Sequence, residues 1–266
     1  QDGWPTFRRD NSRSGRCPGQ LPTDATVAWR ARIGGRLTTM TCQGGMLYVA
    51  EREAHTLWCL DAASGKALWT FTAGGRIDSP PTIDRQRVVF GCGDGWVYCL
   101  RASDGALGWK FRAAPADELI VAFGRLESPW RAHGSVLVLD GVVYCTAGRS
   151  TYLDGGMTLY RIEPTTGRVL SRTRLYSPDP KTGEQPKQYG PAAMPGQLSD
   201  ILVAGAQRVY LREAAFAADG RRTRQTAPHL LTLTGFLDET WPHRSYWIFG
   251  TKCSLSIGCA GRARNL

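Results

Sequence analysis

Long apolar runs are missing from this 266-residue chain. No stretch approaches the roughly 18 apolar residues that a membrane-spanning helix needs, so that class is excluded. Histidine is scarce: His55, His133, His229 and His243 are the four, and none stands at metal-ligand spacing from another histidine or a cysteine. The eight cysteines (Cys17, Cys42, Cys59, Cys92, Cys99, Cys145, Cys253 and Cys259) contain no C-x-x-C pair and no two adjacent residues. No serine sits in a nucleophile-elbow context. The glycine-rich run Gly91-Cys92-Gly93-Asp94-Gly95 has no helix pattern after it, which argues against a phosphate loop. No catalytic constellation stands out.

The start of the chain lacks an initiator methionine, a basic n-region and an apolar h-region: it opens Gln1-Asp2-Gly3-Trp4-Pro5. Either a signal peptide has been removed or the chain is trimmed. The expectation is an exported protein, periplasmic or extracellular, in which an even number of cysteines permits disulfides. Cys253 and Cys259 are the best local candidates for such a pair.

Positive charge is plentiful, with a net charge of +10 and a pI near 9.4. Arginine greatly outnumbers lysine and is scattered along the chain. The densest stretches, Arg221-Arg222-Thr223-Arg224 and the tail Arg262-Ala263-Arg264, are not interleaved with stacking aromatics. They read as a solvated loop and a terminus, and no nucleic-acid partner is expected.

Against these absences stands a repeat. Trp29, Trp69 and Trp109 are spaced by 40 residues. Around them run Leu57-Trp58-Cys59-Leu60-Asp61-Ala62-Ala63-Ser64-Gly65-Lys66-Ala67-Leu68-Trp69-Thr70-Phe71 and Val97-Tyr98-Cys99-Leu100-Arg101-Ala102-Ser103-Asp104-Gly105-Ala106-Leu107-Gly108-Trp109-Lys110-Phe111, with a weaker copy from Leu159 to Leu170. Each copy is an alternating strand, an Asp/Ser/Gly turn, and a second strand carrying Trp-x-Phe on one face, which is a hairpin signature. Upstream, a second motif recurs as Gly35-Arg36-Leu37, Gly75-Arg76-Ile77-Asp78-Ser79-Pro80 and Gly124-Arg125-Leu126-Glu127-Ser128-Pro129, each followed by a further strand. About four short antiparallel strands in every repeat of about 40 residues predicts an all-β chain with the blades of a propeller. Cys59 and Cys99 occupy equivalent repeat positions, and Cys92 and Cys145 are matched in the same way; all four are expected as small core residues.

The run Leu-Asp-Ala-x-(Ser/Thr)-Gly-x-x-Leu-Trp-x-Phe resembles the pyrroloquinoline-quinone-like (PQQ-like) repeat. The opening Trp4-Pro5-Thr6-Phe7-Arg8-Arg9-Asp10-Asn11 is similar to the leading segment of exported bacterial proteins that carry such repeats. The resemblance covers residues 1–172 and fades after about 175. It implies a β-propeller, in one domain over residues 1–266, with clear repeats over 29–172 and degenerate blades over 173–266. The family usually closes seven or eight blades. This length admits a small ring of about five blades, an arc completed by a partner, or a piece of a longer ring.

The family contains both quinoprotein dehydrogenases and an outer-membrane assembly lipoprotein. A dehydrogenase would use PQQ and Ca²⁺, for which the resemblance implies an oxygen-ligand cage, a catalytic Asp, and a Trp with an adjacent-cysteine disulfide. Adjacent cysteines are absent here, and Asn11 and Asn265 are the only asparagines. The assembly-factor reading asks for a lipid-attachment cysteine, and Cys17 has no apolar segment before it. The preferred reading is a non-catalytic exported propeller that binds a protein or small-molecule ligand; a quinoprotein-type oxidoreductase domain and an envelope assembly factor are the alternatives.

The ligand-site candidates are Arg36, Arg76, Asp78, Arg125 and Glu127. Alternation puts Arg76 with Asp78, and Arg125 with Glu127, on one face of an extended segment. If those segments are innermost strands, the pairs converge on the central channel and suit an anionic or sugar-like ligand. Otherwise they are salt bridges within and between blades. Extra length in the third unit, between Phe111 and Gly124 and again at residues 149–156, points to loops on one face, and with the Pro/Gly-rich stretch 177–198 residues 149–156 predict a loop-rich contact face.

Overall fold

The computed structural model describes residues 3–20, 22–122, 124–134, 136–184, 198–232 and 247–251, with the backbone alone of 254–255 and 261–262. Every element assigned among them is a β-strand. None of the described residues forms a helix long and apolar enough to cross a membrane.

Four four-stranded antiparallel sheets follow one another along the chain. The first is β1 (Thr41–Gln43), β2 (Met46–Glu51), β3 (Thr56–Asp61) and β4 (Ala67–Thr72). The second is β5 (Thr82–Asp84), β6 (Arg87–Gly91), β7 (Trp96–Arg101) and β8 (Leu107–Arg112). A hairpin of β9 (Ile120–Ala122) and β10 (Arg125–Glu127) is inserted before the third, which comprises β11 (Leu137–Leu139), β12 (Val142–Ala147), β13 (Met157–Ile162) and β14 (Val169–Leu175). The fourth is β15 (Leu202–Gly205), β16 (Arg208–Leu211), β17 (Ala214–Ala217) and β18 (Arg222–Thr223). A pair, β19 (His229–Thr232) with β20 (Trp247–Gly250), begins a further blade, and β21 (Ser254–Leu255) pairs with β22 (Gly261–Arg262).

Each sheet is a blade whose strands pair in simple meander order. The first strands β1, β5, β11, β15 and β19 contact one another in turn, so they line the axis. The chain is thus an all-β propeller, and its described blades form an arc rather than a closed ring. The core lies between neighbouring blades. Tyr48, Leu57 and Cys59 of the first meet Val88, Phe90 and Leu100 of the second, and two equivalent clusters fill the following junctions.

The repeat period has a mechanical cause. Trp69 on β4 donates its Nε1–H to the carbonyl of Ala102 in the next blade at 2.9 Å, and its ring lies against Gly105. Trp29 does the same to Ala62 (3.0 Å) and Gly65, and Trp109 to Pro164 (2.9 Å) and Gly167. A Cβ on Gly105 would sit 2.6 Å from the ring, and its φ of +73° is left-handed, so this turn requires glycine twice over. One indole therefore locks the segment before β1 to the first blade, the first blade to the second, and the second to the third.

The six described cysteines are free, and Cys59, Cys92, Cys99 and Cys145 are buried. Burial pushes the Cys59 thiol up to about 11, and those of Cys99 and Cys145 to about 12, so they act as small apolar groups. Cys59 and Cys99 are repeat-equivalent, since each faces the blade's tryptophan across the third and fourth strands. Cys92 and Cys145 are not. Strand register aligns Cys145 with Phe90, because Val89 and Tyr144 are the residues paired with the inner strand, whereas Cys92 lies beyond the end of β6. Cys253 and Cys259 lie outside the described residues, as do 185–197 of the expected contact loop.

The axis is not an open channel. Residues 4–13 run across it, bonded to the inner strands of all four complete blades.

Candidate functional site

Two sorts of segment meet on one face of the propeller. They are the connections that bring the chain back from an outer strand to the next inner strand, and the loops joining the second and third strands of each blade. The Gly-Arg motifs lie on these connections, outside the innermost strands, which are β1, β5, β11 and β15. Arg76 and Asp78 precede β5, and Arg125 and Glu127 lie on the inserted β10. The candidate residues therefore gather at the rim of this loop face, and the channel wall is made by other residues.

At the rim Arg52, Glu53, Arg76, Asp78 and Arg125 form one network, with the Glu127–Arg131 pair beside it. The Asp78 carboxylate accepts from Arg52 Nη2 at 2.9 Å and stands 2.7 Å from Arg76 Nε. Arg76 also reaches Glu53 at 3.6 Å, and Glu53 pairs with Arg125 at 3.0 Å. Glu127 pairs with Arg131 at 3.0 Å. The β2–β3 loop, the connection before β5 and the β9–β10 hairpin are thereby tied together. Arg36 is exposed at the start of the same surface, where its carbonyl accepts from the backbone N–H of Arg52 at 2.9 Å.

Asp78 is almost fully buried, with 4% of its side chain exposed. Burial alone would raise its carboxyl, but His133 in its protonated form, the Arg76 guanidinium and the hydrogen-bonded Arg52 guanidinium outweigh burial and hold it below the usual carboxylate range. His133 has the opposite problem. It is buried beside this same cluster, and burial together with Arg131, Arg76 and Arg52 pushes its imidazole down to about 3 against the pull of Asp78. At neutral pH it is an uncharged spacer among guanidinium groups. Gly91 makes its placement possible: a Cβ there would fall 1.7 Å from the Ala132 carbonyl, so only glycine lets the 131–133 segment cross the end of β6.

A second pair, Arg212 with the buried Asp200 at 3.3 Å, lies on the fourth blade, and Thr232 of β19 also bonds Asp200. Among the described residues, no three His, Cys, Asp or Glu side chains converge as a metal site would require.

Arg52, Glu53, Arg131 and His133 are the members that motif reading missed. They lie outside the repeated text. The one available signal was the charged triplet Glu51-Arg52-Glu53 directly after an apolar strand, where the second blade has Cys92-Gly93-Asp94 instead.

Beside the network, the long β12–β13 loop forms one wall of a cleft of about 550 Å³, lined by Trp130, Asp154, Tyr160, Arg172 and Arg174. Trp130 Nε1 donates to the Asp154 carbonyl at 2.6 Å, and Arg149 pairs with the Asp154 carboxylate at 2.5 Å.

Comparison with known proteins agrees with this architecture. A family model described as outer membrane protein assembly factor BamB matches residues 21–182. No curated protein matches the sequence. Among solved structures, the quinohemoprotein alcohol dehydrogenase of Pseudomonas putida HK5 superposes with a TM-score of 0.62 at 15% identity, over 87% of this chain and 43% of that one. The quinohemoprotein alcohol dehydrogenase of Comamonas testosteroni gives 0.62 at 15% identity, over 98% and 45%. A europium-containing methanol dehydrogenase gives 0.60 at 14% identity, over 87% and 52%. The chain spans about half the length of these enzymes, and at such identities the likeness is one of fold. With more than half of its residues covered by the family model, the chain belongs to the PQQ-like repeat propeller family.

Proposed function

We propose that this chain is a non-catalytic binding module of the cell envelope whose loop face docks a protein partner. The observation that carries this is the β9–β10 hairpin, which is amphipathic in the reverse sense. In its register Leu126 faces Val121, and Glu127 faces Ile120. Leu126 and Val121 are 64% and 74% exposed, with Leu119 exposed beside them, while Glu127 is buried and Arg125 turns to Glu53. A surface hairpin ordinarily turns its polar side chains to water. Here ion pairs hold the polar side against the propeller and leave an apolar pair outward. Leu153, on the loop at residues 149–156, is exposed on the same face. An apolar patch on a braced support is the signature of an interaction surface.

In this reading Arg76, Asp78, Arg125 and Glu127 position the surface, and Arg36 sits at its border. The envelope setting follows the family model's description as an outer-membrane assembly factor. The dehydrogenase alternative fits less well. Asp78, Glu127 and Asp200 each already face a guanidinium, so a Ca²⁺ cage would have to break buried pairs, and residues 4–13 occupy the axis where a cofactor could lie.

The test is photo-crosslinking from position 121 in the full chain, exported into the envelope of a Gram-negative host. A discrete adduct is expected, and Leu126→Glu should abolish it while leaving the melting temperature unchanged. Adducts formed equally from position 68 on the outer edge of the first blade, or none from 121, would overturn the reading. A melting point raised by PQQ with Ca²⁺ would favour the dehydrogenase instead.

A further inference from the structure

The opening segment that resembles a family leader belongs to no blade. Trp4 makes an isolated antiparallel bridge to Cys42 of β1, donating and accepting at 2.8 Å. The Pro5 carbonyl accepts from Ile83 N–H of β5 at 2.7 Å, and Thr6 bonds Thr82 of the same strand at 2.8 Å. Asn11 Nδ2 donates to the Val138 carbonyl of β11 at 2.6 Å, while its own carbonyl accepts from Ala204 N–H of β15 at 2.7 Å. Arg13 Nε donates to the Leu202 carbonyl at 2.9 Å, and the Arg8 guanidinium lies 4.1 Å above the Trp247 ring of β20. One short segment thus touches each of these blades in turn.

We propose that the axis of this propeller is a peptide-binding site, and that residues 4–13 are its ligand, bound in cis. Three features separate a ligand from a core strand. First, the segment makes one or two bonds per blade and enters no ladder, so each blade's own four-stranded pairing is complete without it. Second, it is attached through an exposed tether, residues 15–20 and 22–28, which the first blade grips at Trp29. Third, it is pre-organised by itself. Asp10 accepts from Ser12 Oγ, Ser14 N–H and Ser14 Oγ; Arg8 Nε donates to the Arg13 carbonyl at 2.8 Å; Arg13 Nη1 donates to Thr6 Oγ1 at 2.7 Å and the Phe7 carbonyl at 3.1 Å. These bonds hold Arg8, Arg9 and Arg13 at φ of 54°, 81° and 60°, a region that side-chain-bearing residues avoid unless locked there. A peptide already folded into its bound shape loses little entropy on docking.

The recognition chemistry is specific. Arg13 is fully buried and its Nε and Nη1 meet oxygen acceptors, and Asn11 uses both a side-chain donor and a backbone acceptor between two blades. The site therefore takes a turned peptide carrying Trp-Pro-Thr at one end and Asn-x-Arg at the other, from its own chain or from a second copy.

The experiment is to place a protease site in the exposed tether of the full chain, between residues 18 and 24, cut it, and follow the pieces by gel filtration. The freed segment should co-elute with the propeller and should exchange with added fluorescein-labelled peptide of residues 3–16. Peptides carrying Arg13→Ala or Asn11→Ala should bind at least tenfold more weakly, the size of one lost charge-assisted or buried bond. Arg9→Ala should bind within twofold, because the Arg9 side chain bonds the tether carbonyl of Arg16 rather than a blade. Because the variants are in the peptide, the fold of the propeller is not at issue. Immediate release on cutting, with no peptide binding, overturns the proposal. So does a cut chain that cannot exchange its segment without losing its β circular dichroism, since that would make residues 4–13 core.

Discussion

Replacing Gly105 by alanine tests the indole lock between blades. The φ of +73° places alanine in the left-handed region, at a cost of about 1–2 kcal/mol. Alanine also lowers the entropy of the unfolded chain, which offsets somewhat under about 1 kcal/mol of that cost. The new Cβ would lie 2.6 and 2.7 Å from two atoms of the Trp69 ring, inside any real contact distance, so the ring must retreat. Retreat lengthens the 2.9 Å bond to the Ala102 carbonyl, worth about 1 kcal/mol, and opens the aromatic packing with Tyr48, worth about 0.5–1.5 kcal/mol. The sum is about 3 kcal/mol, large for a single substitution. In a Trp69→Ala background only the backbone cost remains, about 1 kcal/mol, so the two sites should couple by about 2 kcal/mol. Urea denaturation followed by far-UV circular dichroism, over the four members of the cycle, measures this directly. A Gly105→Ala chain within about 0.5 kcal/mol of the parent, the range of an ordinary surface substitution, would refute the argument. So would a cost unchanged by removing Trp69. The equivalent pairs Trp29–Gly65 and Trp109–Gly167 should behave alike.

Stability should also report His133. Its folded imidazole titrates near 3, far below the usual 6.5, so the unfolded chain binds the extra proton as pH falls. Its contribution is complete above about pH 6.5 and is lost progressively down to about 3, with a slope of about 1.4 kcal/mol per pH unit. His133→Gln should flatten the acid limb of a stability-against-pH curve by that slope, and an unaltered slope would contradict it. Gly91→Ala should destabilise by more than about 3 kcal/mol, because the clash is with the backbone carbonyl of Ala132 and no side chain can yield. A thermal melt within a few degrees of the parent would show that the 131–133 segment can move aside. Leu126→Glu should stay within about 0.5 kcal/mol of the parent in the same assay, since 64% of that side chain is already in water.

Much of the fold was legible because a repeat writes the same physical instruction several times. Trp69, Gly105 and the spacing between them are a hairpin and a docking contact in one, and both can be read in one dimension. The fourth blade was harder to read. It keeps the alternation of Val209, Tyr210 and Leu211 but has no tryptophan lock; residues 202–223 form it by strand pairing and by packing against the third blade. Of the candidate site, the pairing of Arg76 with Asp78 could be foreseen from alternation. Its other partners could not. Arg52 and Glu53 come from the preceding blade, and His133 comes from the connection into the following one.

Amino-acid order alone was enough for the all-β class, the length of a blade, the turn glycines and the absence of a spanning helix, because each depends on composition or on contacts between residues near in the chain. Three features became visible only in the packed molecule: what lies on the axis, the position of the Gly-Arg motifs at the rim, and the inward turn of Arg125 and Glu127 that leaves Leu126 facing water. Those depend on which distant carboxylate meets which guanidinium, and on a short leading segment closing over strands as remote in the chain as β15. Periodicity within a blade carries no information about either.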